Sequence, residues 1–132
     1  MAITHSTTTR NALANAVDAA INTGGAGSLE FQTSASATGV AAGSTAEVAT
    51  ITFDTTAFGD AAAGSVSATS MPQSDTTPTG GTVSAFTIFD GNNLRIMSGT
   101  VAVSGGDINL SSLTISTGDT VTLNSLTYTA PA

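Results

Sequence analysis

The sequence predicts a mainly β protein: an antiparallel β-sandwich or jelly-roll-like domain preceded by one N-terminal amphipathic α-helix. Three observations support this fold class. Helical spacing of apolar residues occurs in one stretch, which ends at Gly24 and Gly25. After Gly27 the apolar residues alternate with polar ones, which is the spacing of β-strands. Such segments recur in the C-terminal half at roughly ten-residue intervals, separated by turns rich in Gly, Asp and Asn, as in sandwiches.

The predicted helix covers residues 6–23. Ser6 can cap its first turn, because a serine hydroxyl accepts a hydrogen bond from a free backbone N–H. Leu13, Val17 and Ile21 recur every four residues and form one apolar stripe. The opposite face is polar and consists of Asn11, Asn15, Asp18 and Asn22. The helix is therefore suited to lie on its own domain or on a neighbour, and we predict that Leu13, Val17 and Ile21 bind a partner.

The middle of the chain predicts short strands and long connections. Alternating side chains predict strands over residues 29–32, 46–53 and, more weakly, 65–71. Residues 34–45 hold only Val40 as a core-sized side chain, which predicts a loop or an extended arm. Residues 72–81 contain two prolines and two adjacent glycines, and they predict a long loop.

The C-terminal half carries the strongest strand signals. Residues 83–89 and 94–103 flank the turn sequence Asp90-Gly91-Asn92-Asn93, which predicts a β-hairpin. The apolar phase shifts near Gly99, which suggests a β-bulge there. Two further strands are predicted over residues 108–115 and 120–128.

Core-sized side chains are distributed unevenly along the chain. Of 30 such residues, 17 lie from position 81 onward, nine in residues 29–80 and four before residue 29. We therefore predict an N-terminal arm and helix over residues 1–28 and a β-sandwich domain over residues 29–132. The core is thin for 132 residues, so we expect burial between subunits of a homo-oligomer, or against another protein, to complete it.

The charge of the chain limits its partners. Nine carboxylates face only Arg10 and Arg95, and the net charge is −7. Nucleic acid and anionic membranes are disfavoured, because both are bound by clustered Lys and Arg. Cysteine is absent, and no run of apolar residues is long enough for a membrane helix. The N-terminus is polar where a signal peptide needs a basic start and an apolar stretch, so we expect synthesis in the cytoplasm without export.

The residues that could carry chemistry have simpler explanations. His5 has no partner in its sequence neighbourhood, and Ser6 beside it is accounted for as a helix cap. Paired carboxylates such as Asp54 and Asp60 could hydrolyse a glycan, but the chain has no Trp and one Tyr to line a sugar cleft. The Asp- and Asn-containing turns at 90–93 and 105–109 could bind calcium, yet tight turns favour the same residues. We predict no enzyme activity, no cofactor and no metal.

Phe58 is the remaining candidate for partner binding. It lies between Asp54 and Asp60 in a segment of small residues. Two interpretations are open: the ring inserts into a neighbouring subunit, or it folds back over the edge of its own sandwich.

Several segments resemble a family of small virion proteins from tailed bacteriophages, and together they span most of the chain. These segments are Thr4-His5-Ser6 with Arg10-Asn11, then Thr52-Phe53 with Ala57-Phe58-Gly59, then Gly106-Asp107-Ile108-Asn109-Leu110-Ser111-Ser112, and finally Gly118-Asp119-Thr120-Val121 with Ser125-Leu126-Thr127-Tyr128. The resemblance implies a head decoration (cement) protein on the capsid surface that binds and stabilises the lattice of the major capsid protein. It also suggests trimers, and it carries no catalytic residues. A tail or neck component, or a module that binds a host surface or glycan, is the alternative.

Overall fold

The structure is a computed structural model that describes residues 3–34 and 46–132. These residues form one helix, α1 (Thr7–Ile21), followed by short strands. The strands are β1 (Ser28–Gln32), β2 (Glu47–Thr52), β3 (Ser65–Ser67), β4 (Gln73–Asp75), β5 (Gly81–Thr82), β6 (Ala85–Phe89), β7 (Arg95–Ala102), β8 (Ile108–Asn109), β9 (Thr114–Ile115), β10 (Val121–Leu123) and β11 (Thr127–Thr129). The predicted fold class, mainly β after one N-terminal helix, is confirmed.

Helix α1 begins and ends close to its predicted bounds. Ser6 is the N-cap, and its hydroxyl accepts a hydrogen bond from the Thr9 N–H at 3.2 Å. Gly24 and Gly25 follow with φ angles of +79° and +123°, a region that glycine enters without steric cost. At 15 residues, α1 is not long and apolar enough to cross a membrane.

The larger sheet has the strand order β2-β1-β6-β7-β8. All its pairings are antiparallel except that of β7 with β8, which is parallel. Strands β1 and β6 lie inside the sheet, and their side chains are buried on both faces apart from half-buried Ser28. The N-terminal half of the chain therefore supplies an interior strand of the sheet.

The remaining strands form a second layer that the sequence only partly predicts. Strand β3 pairs with β11, β4 with β10 and β5 with β9, so residues 65–82 run antiparallel to residues 114–129 as one interrupted ribbon. The predicted loop over 72–81 thus contains β4 and the start of β5, and that prediction is wrong. The reason is that residues 114–123, far along the chain, supply hydrogen-bond partners to a segment whose own composition is typical of a loop.

The core lies between the sheet and the ribbon. It joins side chains of the sheet, such as Phe31 and Ile88, to Val66 and Leu123 of the ribbon. Helix α1 contacts β3 and β7, and its Ala14 is fully buried in the same core. The helix therefore packs on the β-domain. The segment 34–45 was predicted as a loop or an extended arm. Most of it, residues 35–45 with Val40, falls outside the described residues.

The predicted hairpin of β6 and β7 is confirmed, but the predicted bulge at Gly99 is wrong. The register shifts between Ile88 and Phe89, which face Met97 and Arg95, so Ile96 is the extra residue. Gly99 pairs regularly with Phe86. A Cβ atom on Gly99 would lie 2.6 Å from the Phe86 ring and 2.8 Å from an Asp107 carboxylate oxygen, so this close packing explains the glycine.

Candidate functional site

The four residues predicted to bind a partner occupy different environments. Leu13 is 39% exposed, whereas Val17 is half-buried and packs against the core. Ile21 is 0% exposed. The apolar stripe of α1 therefore faces the protein's own interior, and only Leu13 offers substantial surface to another molecule.

Phe58 also lies in the core. It is 1% exposed, and its ring centroid is 6.0 Å from that of Phe53. Of the two interpretations left open by the sequence, the described structure has the ring folded into its own domain. Ile21 and Phe58 could touch a partner only if the domain opened, because side chains on both sides enclose them. Leu13 and, in part, Val17 offer surface to a partner in the described structure, and a partner contact by any of the four residues stays a prediction.

The polar face of α1 makes the contacts that the sequence did not predict. Its side-chain oxygens accept hydrogen bonds from backbone N–H groups of residues 57–64, a segment made mostly of Ala and Gly. The four pairs are Asn22 with Ala57 at 2.9 Å, Asp18 with Phe58 at 3.0 Å, Asn15 with Ala61 at 3.0 Å, and Asn11 with Gly64 at 2.7 Å. We call these four side chains the Asx ladder. It fixes the helix to the domain through its polar face.

Both chain ends meet beside the same helix. The Arg10 guanidinium Nη2 donates to the Ala130 carbonyl at 3.4 Å, and the His5 ring Nδ1 lies 3.1 Å from the Ala132 carbonyl oxygen. The Arg10 Nε is buried and has no hydrogen-bond partner among the described residues. His5, for which the sequence indicated no chemical partner, is an exposed residue.

Most aspartates are used as acceptors for the backbone. Six of the seven accept a hydrogen bond from a backbone N–H: Asp18 from Phe58, Asp54 from Thr55, Asp75 from Thr50 and Thr77, Asp90 from Asn92 and Leu94, Asp107 from Thr100, and Asp119 from Ser116. Asp90 shapes the β6–β7 turn in this way. Within the described ranges, no group of three or more His, Cys, Asp or Glu side chains is placed to hold a metal ion.

These hydrogen bonds also set the acidity of two carboxyls. The pKa of Asp54 lies below its ordinary 3.8, first because the Ser70 hydroxyl donates to it and then because the N–H and hydroxyl of Thr55 do. The pKa of Asp107 lies below its ordinary 3.8, first because the Thr100 N–H donates to it and then because the Thr100 hydroxyl does. Both carboxylates therefore stay ionised to a lower pH than an ordinary aspartate does.

A chain of polar side chains lies inside the sheet. The Thr87 hydroxyl donates to the Gln32 side-chain oxygen at 2.9 Å, and the Gln32 amide donates to Glu30 at 3.2 Å. All three residues are buried. Paired in this way, they join β1 to β6 and are enclosed away from solvent.

The outer face of the ribbon is an uncharged row of hydroxyls. Serines of β3 and β4 pair across the ribbon with threonines of β10 and β11. The pairs are Ser65 with Thr129 at 2.8 Å, Ser67 with Thr127 at 3.2 Å, and Ser74 with Thr122 at 2.8 Å. Such pairs stabilise a two-stranded ribbon and leave a flat polar surface.

A cavity of about 290 Å³ opens between the two layers, next to β7, β8 and β11. It is lined by Phe58, Phe86 and Ile88 together with residues 97–99, 107–108 and 126–129. We call this space the β7–β11 groove. Sequence analysis missed it, and the one available signal was Gly99, since a glycine within a strand marks a close approach.

The comparisons with known proteins leave the family open. No family model, no curated protein and no solved structure matches this chain. The resemblance to small virion proteins of tailed bacteriophages therefore stays a prediction.

Proposed function

We propose that this chain is a non-enzymatic structural protein of a bacteriophage virion, and specifically a head decoration (cement) protein that binds and stabilises the major capsid lattice. The observation that carries the proposal is the use of its acidic and amide side chains. Six of the seven aspartates accept hydrogen bonds from the chain's own backbone, and so do the three asparagines of the Asx ladder. These side chains therefore stabilise the fold of the chain itself, as expected of a structural protein.

The acidity of the carboxyls supports the same conclusion. A general acid or base works best when its pKa is near the working pH. Asp54 and Asp107 deviate in the opposite direction, because their hydrogen bonds lower their pKa values. These groups serve as permanent acceptors, which suits a protein whose role is to hold a shape.

The surface supports a protein lattice as the partner. The chain carries nine carboxylates and two arginines, and Arg10 is directed to the Ala130 carbonyl. The hydroxyl row on the ribbon adds a flat, uncharged face. A surface of this composition has no cluster of cations for DNA, so we place the protein on the outside of the particle.

The sequence resemblance, which spans most of the chain, supports a place in the virion, and within the virion we propose the capsid. We therefore expect many copies, each lying on major capsid subunits, and oligomers such as trimers. A tail or neck component would be present in fewer copies arranged as a ring.

Particles lacking the protein should lose their contents at lower temperature, or at a milder osmotic shock, than wild-type particles. The reason is that a cement protein adds contacts between capsid subunits that the lattice otherwise lacks. The measurement is release of DNA, followed by a fluorescent dye, across a temperature series. If deficient particles released their DNA at the same temperature as wild-type particles, the protein would not act as a cement protein.

Add-back of purified protein provides the matched control for this experiment. Wild-type protein should restore the heat resistance of deficient particles. The Leu13→Asp variant should restore it less well if the exposed edge of α1 contacts the capsid. The control Leu94→Asp, which changes a residue that is 63% exposed in the β6–β7 turn, should restore it as well as the wild-type protein does. If both variants restored heat resistance equally, Leu13 would not contact the capsid.

A further inference from the structure

The two sides of the sandwich are closed differently. On the β2 side, the sheet is hydrogen-bonded to the ribbon: the Thr50 N–H donates to Asp75 at 2.9 Å, and the Gly80 N–H donates to the Val48 carbonyl at 3.2 Å. On the β7 side, the β7–β11 groove separates the layers. The two layers are thus joined by hydrogen bonds along the β2 side, and they are separated by the groove along the β7 side, which we call the open seam.

The open seam exposes part of a strand edge. Strand β8 pairs with β7 only at Val101 and Ala102. The Val101 N–H donates toward β6, to the Ser84 carbonyl, so alternate residues Thr100 and Ser98 direct their peptide groups away from β6. Asp107 accepts from the Thr100 N–H at 2.8 Å and covers that position. The outward peptide group of Ser98 comes next along the same edge.

The groove beside this edge can receive an apolar side chain. Phe58, Phe86, Ile88, Met97 and Tyr128 are among the residues that line it. A volume of about 290 Å³ exceeds that of one aliphatic side chain. An extended segment that bonds to the edge of β7 could therefore direct one apolar side chain into the groove, which is the usual form of recognition by strand addition.

The chain contains a segment suited to this position in another copy. Residues 3–6 lie outside the helix and strands, and their Ile3 is 85% exposed. The first carboxylate of the sequence is Asp18, so this segment brings no negative charge to the rim that Asp107 lines. Ile3 is also the most exposed large apolar side chain of the described residues, so this segment offers the groove an apolar side chain without adding a carboxylate beside Asp107.

We propose that residues 3–6 of one copy add to the free edge of β7 in a second copy and place Ile3 in its β7–β11 groove. The interaction joins copies head to tail, and three such contacts can close a ring. It does not rest on the proposed virion function, because two copies in solution suffice to form it.

Disulfide trapping tests the contact, and the chain has no cysteine of its own. The variants Thr4→Cys and Ser98→Cys are mixed under mild oxidation, and mixed dimers are identified by mass spectrometry. The control replaces the second variant by Ser74→Cys, on the ribbon's hydroxyl face. Because docking raises the local thiol concentration, the mixed dimer with Ser98→Cys should exceed the control by about tenfold or more. Equal yields would overturn the proposal.

Two other trapping results would also overturn it. Dimers formed only between two Ser98→Cys chains would mean that β7 edges pair with each other. A disulfide within one chain of the Thr4→Cys/Ser98→Cys double variant, with no link between chains, would mean that the segment fills its own groove. Adding Ile3→Asp to the Thr4→Cys chain should abolish the mixed dimer, whereas adding Ile3→Leu should preserve it.

A backbone variant tests the strand edge separately. Ser98→Pro removes the outward N–H without removing a hydrogen bond to β6, and proline is tolerated at such edge positions. Its matched control, Ser98→Ala, keeps the N–H. Sedimentation of the two proteins over the same concentration range should show weaker self-association for Ser98→Pro only, with circular dichroism confirming that both fold. Equal self-association of the two variants would contradict the pairing.

Discussion

Phe58→Ala is expected to lower the free energy of unfolding by about 3–5 kcal/mol, the usual effect of removing a buried phenylalanine ring. The ring is 1% exposed and packs against Phe53. Its loss should open a cavity that joins the β7–β11 groove, which the Phe58 ring lines. Urea denaturation followed by circular dichroism measures the change, because the midpoint shifts while the slope stays constant in a two-state transition.

The matched control is Leu94→Ala, which also removes a large apolar side chain. Leu94 is 63% exposed, and its backbone N–H, not its side chain, holds the turn through Asp90. A surface change of this kind costs within about 0.5 kcal/mol. If Phe58→Ala behaved like Leu94→Ala in stability but prevented incorporation into particles, Phe58 would be a contact residue and not part of the core.

The double variant Asp18→Ala/Asn22→Ala is expected to lower the free energy of unfolding by about 2–4 kcal/mol. It removes the acceptors of the Ala57 and Phe58 N–H groups, which lie in a partly buried segment. Asp18 also accepts from the Asn22 side chain at 2.9 Å, so the two changes belong to one network and their effects should not add.

Hydrogen exchange locates this effect in the structure. The amides of Ala57 and Phe58 should exchange slowly in the wild-type protein and much faster in the double variant. Thr8→Ala, on the exposed side of the first helical turn, is the control and should leave these amides protected. Unchanged protection in the double variant would mean that the Asx ladder does not hold the helix to the domain.

The local parts of the fold were predictable from the sequence. Ser6 and the glycines after residue 23 bound the helix, and the Asp-Gly-Asn-Asn turn predicts the β6–β7 hairpin, because each signal acts between near neighbours. The strand pairing in the ribbon, and its strand β4, were not predictable. Paired residues of the ribbon, such as Val66 and Tyr128, are 62 residues apart, and the segment at β4 has no large apolar residue to mark it as a strand.

The surface that receives each face of α1 was not predictable for a similar reason. Leu13, Val17 and Ile21 do form one stripe, but the sequence does not say which surface receives it. The polar face of α1 has the same helical spacing as the stripe, and a polar face is ordinarily solvated. Here it meets residues 57–64, whose small side chains let the backbone approach closely enough to donate to the Asx ladder. Only the three-dimensional arrangement reveals that pairing.

Cryo-electron microscopy of intact particles that carry this chain tests the proposed function most directly. The account predicts density for the sandwich on the outer capsid surface, at many symmetry-related positions, with residues 3–6 of each copy reaching the β7 edge of the next. A few copies in a ring at the neck or tail would contradict the decoration role. Absence of the chain from purified particles would contradict the virion role altogether.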